Sequence, residues 1–159
     1  MNTIQSSAVA DDFEAAFPAA SLEMIRRQAP EAYDHLRHTY AEAYRAADPT
    51  LLELARRRIA LMVDPDAAPA PGVNDAKVRD LADWASSDVY TPAERACLAF
   101  AEQFAFYVSD VNDELIEDLL AALPPDEVYG LVNAIYVVDT VERLKATLAR
   151  LYDGREGAR

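Results

Sequence analysis

Two carboxylates stand among apolar neighbours in this chain, and each has an arginine four residues further on. Glu53 lies in the run Leu51-Leu52-Glu53-Leu54-Ala55-Arg56-Arg57-Arg58, and Asp139 interrupts the apolar stretch from Val128 to Val141 one turn before Arg143. Side chains four apart share one face of a helix, so each acid can pair with its arginine, a contact worth ~0.2–0.5 kcal/mol when exposed. A carboxylate held between leucines would instead be desolvated, which raises its pKa toward the range of a general acid or base. Spacing leaves both readings open for Glu53: an ion pair with Arg57, or an acid–base group. For Asp139 the alternatives are a structural pair with Arg143 and an acid lining a pocket.

The remaining reactive side chains are few. Glu31, His35 and His38 fall on one helical face and could turn two nitrogens and a carboxylate toward a metal. Their neighbours Asp34, Arg37 and Glu42 are those of a solvated, ion-paired face, and a metal site needs further ligands and an outer shell. No metal and no cofactor is expected. Cys97 is the only cysteine, so neither an internal disulfide nor a CxxC pair is possible. It sits on an apolar stripe with Ala93, Phe100, Ala101 and Phe104, where burial raises a thiol pKa, and it reads as core filler.

The whole chain narrows the choice further. Twenty-eight acidic residues against 15 basic ones give 159 residues a net charge of −13, which opposes binding to nucleic acid or an anionic membrane. The opening MNTIQSSAVA has neither a basic start nor a continuous apolar core, so no signal peptide is expected. No apolar run approaches the ~20 residues that span a bilayer. A cytoplasmic location follows as the expectation.

The elements that must position these groups are helices. Alanine occurs 31 times and glycine only 4 times, a balance that favours helix and starves β-turns. Pro30 starts or kinks a helix that continues to about Ala47. Asp48-Pro49 then starts one through Val63, and the stretch from Asp64 to Gly72, with three prolines, reads as a loop. Asn74 can cap a short helix over Asp75–Trp84. Thr91-Pro92-Ala93-Glu94 is a capping box opening a helix to about Val108, and Asn112 caps another ending near Leu123. Pro124-Pro125-Asp126-Glu127 starts a last helix to about Tyr152, apolar nearly all round from Val128 to Val141 as a central buried helix would be. The prediction is an all-α domain of six to seven helices over 21–152. A flexible segment over 1–20 precedes it, and a tail over 153–159 follows.

The order of segments LLELARRRIALMV, LADWASSDVYTPAERACLAFAEQF and DELIEDLLAALPPDEVYGLVNAIYVVDTVERL resembles the carboxymuconolactone decarboxylase/AhpD-like alkylhydroperoxidase superfamily, over 50–148. The resemblance implies an AhpD-like helical bundle that assembles with copies of itself, as a dimer up to a hexamer. The peroxidase branch carries a glutamate, then twelve residues later a CxxC followed by a histidine. Glu53 falls at the glutamate position, Pro65 and Ala68 stand where the cysteines belong, and Pro69 to Asn74 hold no histidine. Thiol peroxidase chemistry is therefore not expected. The decarboxylase branch works by proton transfer on a small anion. In that reading Glu53 is the candidate acid or base, and Arg57, Asp139 and Arg143 are candidates for holding the substrate. The alternative is a catalytically inactive structural or interaction protein in which Glu53 and Asp139 serve only as ion-pair partners.

Overall fold

A proline or a capping side chain opens every long helix from Pro30 onward. The structure, a computed structural model, describes residues 13, 14, 17, 19–65 and 76–152. It contains α1 (Ala19–Gln28), α2 (Pro30–Ala46), α3 (Pro49–Val63), the single turn α4 (Ala76–Arg79), α5 (Pro92–Phe106), α6 (Asp113–Ala122) and α7 (Pro125–Tyr152). Short 3-10 turns cover Leu81–Ser86 and Val108–Asp110. There is no strand among the described residues, and the protein is all-α.

Local chemistry explains the boundaries. Pro30 occupies the first turn of α2 and begins it rather than kinking it. Asp48 accepts from the Thr50 and Leu51 amides at 2.8 and 3.0 Å, satisfying donors that α3 leaves without an intrahelical partner. At α5 the expected capping box is present: Thr91 Oγ1 accepts from the Glu94 amide, and Glu94 Oε2 accepts from the Thr91 amide. Asn112 caps α6 through the Leu115 amide. Two expected spans are shorter than the pattern suggested. α5 stops at Phe106 because Tyr107 turns to extended backbone. The Asp75–Trp84 helix is broken into α4 and a 3-10 turn bent at Asp83. Asp75, its expected cap Asn74, Ala68 and Gly72 lie outside the described residues, as do most of 1–20 and all of 153–159.

α7 is the spine. It packs along α2 and α3, while α3 also packs on α5 and α5 on α6. Leu131, Ile135, Val138 and Val141 of α7 meet Leu52, Ala55 and Ile59 of α3, with Cys97, Phe100 and Ala101 of α5 in the same core. Phe13 and Phe17, within the segment expected to be flexible, are buried instead. Phe13 lies 5.3 Å from the Tyr40 ring and 5.0 Å from Phe17. Leu54, Leu81, Tyr90 and Leu98 form a smaller cluster on the far side of α3. α7 is not buried all round: Tyr129 and Tyr136 point to solvent at 75% and 62% exposure. No helix among the described residues is long and apolar enough to cross a membrane.

One close approach sets the seat of α7. A Cβ on Gly130 would lie 2.2 Å from the Ala46 carbonyl oxygen at the end of α2, an atom of the backbone that cannot swing aside. Gly130→Ala is therefore expected to lower stability by on the order of 1–3 kcal/mol, the usual range for overpacking, although alanine is the better helix former. Chemical denaturation measures it. An unchanged or raised midpoint would mean that α2 and α7 separate at little cost.

Candidate functional site

Glu53 sits in the first half of α3, on the side where α2 and α7 come together. The carboxylate accepts a two-pronged contact from Arg56, Nε to Oε2 and Nη2 to Oε1, both at 2.8 Å. Arg57 Nε adds 2.7 Å to Oε1, and the Tyr44 hydroxyl donates to Oε2 at 3.0 Å from α2. Behind it, the Tyr40 hydroxyl donates to Tyr44 at 3.3 Å. The third arm of the Arg56 guanidinium, Nη1, reaches Glu142 Oε1 on α7 at 2.8 Å, and Lys145 Nζ holds Glu142 Oε2 at 2.8 Å. A guanidinium presents its donors in a rigid planar fork, so one arginine can hold two carboxylates on different helices.

Electrostatics decides what Glu53 can do. Burial pushes its pKa up, but the hydrogen bonds and charges of Arg56 and Arg57 outweigh this and hold it at about 2. Such a carboxylate is ionised at neutral pH, with no proton to give, and it is too weak a base to take one readily. Burial would lower the Arg56 pKa, yet Glu53 and Glu142 raise it well above the ordinary value. Burial raises the Tyr40 hydroxyl to about 12, and burial, with Tyr40 and Glu53 beside it, raises the Tyr44 hydroxyl as well. Both tyrosines remain neutral hydrogen-bond donors.

The four residues singled out from sequence fall into two separate places. Glu53 and Arg57 are paired, as four-residue spacing allows. Arg143 Nε meets both Asp139 oxygens at 2.9 Å, and its Nη2 donates to the Ala105 carbonyl at the end of α5. No hydrogen bond among the described residues joins this pair to Glu53 or Arg57. Arg143 borders a cleft of about 400 Å³ with Arg150, Thr147, Met62, Val63 and Phe106. Met62 is nine residues beyond Glu53 on α3, ~13 Å along the helix axis. Arg58, the third of the arginine run, is taken by Glu102 Oε2 at 2.9 Å, which also accepts from the Trp84 indole at 2.8 Å.

Glu142, Arg56 and Tyr44 complete the cluster, and sequence reasoning gave Glu142 and Tyr44 no role. Glu142 had a signal. It continues the four-and-three spacing of Leu131, Ile135 and Val138, so an acid occupies the next position of a buried stripe.

The other reactive groups stand apart. Cys97 is fully buried, donates weakly to the Leu51 carbonyl at 3.5 Å, and burial raises its thiol to about 12. Glu31, His35 and His38 are all exposed on α2, and no group of three or more metal-ligating side chains forms among the described residues. Pro65 is exposed in the turn after α3, where the resemblance would put the first redox cysteine; the second position, Ala68, lies outside the described residues. No protein-family model, no curated protein and no solved structure matches this chain.

Two measurements follow from this geometry. Glu142 is 5% exposed and leaves Arg56, at 14%, without its second partner when removed. Glu142→Ala should cost on the order of 3–5 kcal/mol, as for other broken buried pairs. Asp139→Ala, which frees a half-exposed arginine, should cost about 1 kcal/mol or less. Equal losses would contradict the different burial of the two pairs. The second measurement is pH dependence. A folded pKa of about 2, below the ordinary 4.5, gives stability that is present above 4.5 and lost as the pH falls toward 2. The stability gap between wild type and Glu53→Gln should therefore narrow over that window, and a gap independent of pH would contradict the clamp.

Proposed function

We propose that this chain is a non-redox member of the carboxymuconolactone decarboxylase/AhpD-like superfamily that works as a structural or interaction protein, assembled with copies of itself, without acid–base catalysis at Glu53. One observation carries the reading: the Glu53 carboxylate is held by both Arg56 and Arg57 and by Tyr44, with a pKa of about 2. In the peroxidase branch a glutamate at this position relays the proton of a thiolate. Here Cys97 belongs to the core, and the arginines give the glutamate a structural occupation. Membership rests on the sequence resemblance over 50–148. A cytoplasmic compartment suits the single unpaired thiol.

A second reading, binding of a small anion, has one observation in its favour. The cleft beside Arg143 and Arg150 has apolar walls from Met62, Val63 and Phe106, and no carboxylate among the described residues lines it. That is the chemistry of a small carboxylate with an apolar body. Of the residues expected to hold a substrate, Arg143 lines this cleft. Arg56, Arg57 and Arg58 instead face Glu53, Glu142 and Glu102.

Proton exchange at the carbon next to the carboxylate or lactone carbonyl, followed by NMR in deuterated buffer on a panel of small carboxylates and lactones, tests the absence of catalysis. The wild type and Glu53→Gln should be equally inert. Exchange that the wild type accelerates and a folded Glu53→Gln loses would overturn the reading and return Glu53 to the role of base.

A further inference from the structure

The exposed face of α7 is spaced for another helix. Starting at Tyr129, the exposed positions are Asn133, Tyr136, Thr140 and Arg143, at alternating intervals of four and three, and the pattern continues to Arg150. This stripe, about 30 Å long at the rise of an α-helix, keeps a spacing that a second helix can follow, with tyrosines at 129 and 136 and polar or charged side chains at its other positions. No exposed position between Tyr129 and Arg150 carries a carboxylate, on a chain whose net charge is −13. Its centre is aromatic: Tyr136 is 62% exposed and packs edge-on against Phe104 of α5, with ring centroids 6.3 Å apart. Beyond Phe104, the end of α5 exposes Phe106 and the following Tyr107 and Val108.

We propose that this face of α7 pairs with the same face of a second copy, antiparallel, about a two-fold axis near residue 138. The proposal rests on the interaction reading above and names its surface. Charge selects the occupant and the direction. A parallel pair would set Arg143 against Arg143 and Arg150 against Arg150. The antiparallel pair sets Arg150 against the second copy's Asp126, exposed in the acidic first turn of α7. It also sets Tyr136 against the second copy's Thr140, and Arg143 against the second copy's Asn133. The Asn133 Nδ2 donates to the Tyr129 carbonyl at 2.7 Å, which leaves its Oδ1 to accept from the guanidinium. A two-fold axis makes each of these contacts twice, and it sets the positive end of each helix beside the negative end of the other. A small carboxylate in the cleft would compete with this contact for Arg143 and Arg150.

Light scattering on a sizing column across a concentration series tests the surface. The wild type should have twice the 17.5 kDa mass of the chain. Tyr136→Glu should have the single-chain mass with unchanged far-ultraviolet circular dichroism, while Leu120→Glu, an exposed leucine on α6, should leave the dimer intact. Asp126→Arg and Arg150→Asp should each raise the dimer Kd about tenfold, and the double variant should restore it. A monomeric wild type would overturn this proposal together with the interaction reading. An assembly that Tyr136→Glu leaves intact, that Leu120→Glu disrupts, or that the charge-swapped pair fails to restore, would overturn this surface alone.

Discussion

A buried carboxylate on α7 needs counter-charge, and the helix packing around it brings one of its two cations from another helix. Glu142 is almost free of solvent and would be prohibitively costly to bury alone. Arg56 of α3 supplies one partner and Lys145, one turn on, supplies the other. Arg56 is itself mostly buried, and its remaining donors are met by Glu53. Glu53 in turn accepts from Tyr44, which brings α2 into the same network. Two carboxylates, three cations and the Tyr44 hydroxyl thus tie three helices together at the point where the apolar stripes of α3 and α7 meet. Buried ion pairs of this kind seldom exceed an apolar contact in net stability, but breaking one leaves a charge in low dielectric, so they strongly penalise a wrong register.

The same arrangement sets the charge state of Glu53. Desolvation alone would move Glu53 toward the pKa of a useful general base, and two guanidiniums move it the other way by a larger amount. In this network Glu53 is an anchor. Cys97, on the neighbouring α5, faces the opposite situation: burial without any cation keeps its thiol protonated and unreactive. What α7 buries on one side it leaves open on the other, where tyrosines and arginines stand at the spacing of a second helix.

The helices were legible because their starts are written in adjacent residues. Asp48-Pro49, Thr91-Pro92-Ala93-Glu94 and Asn112 each satisfy the amides of the turn that follows them, and such contacts span only two or three positions. Helix ends were less legible, since the apolar stripe of α5 runs on to Val108 while the backbone leaves the helix at Phe106. The Glu53–Arg57 and Asp139–Arg143 pairs could be read from four-residue spacing. The contact between Arg56 and Glu142 could not, because 86 positions separate the two residues and only tertiary packing joins them. Nor does sequence distinguish a buried from an exposed side of the apolar run in α7. Tyr129 and Tyr136 count as apolar in a pattern, yet both point outward, Tyr136 with an edge-on contact to Phe104.

Whether Glu53 is an anchor or a base is measured most directly by its own titration. With the side-chain carboxyl carbons labelled and Glu53→Gln used for assignment, the Glu53 signal can be followed by NMR from neutral pH downward. It is expected to keep the shift of an ionised carboxylate through the ordinary range near 4.5 and to move only as the pH approaches about 2. A midpoint at or above the ordinary value would contradict the clamp and restore Glu53 as a candidate acid–base group.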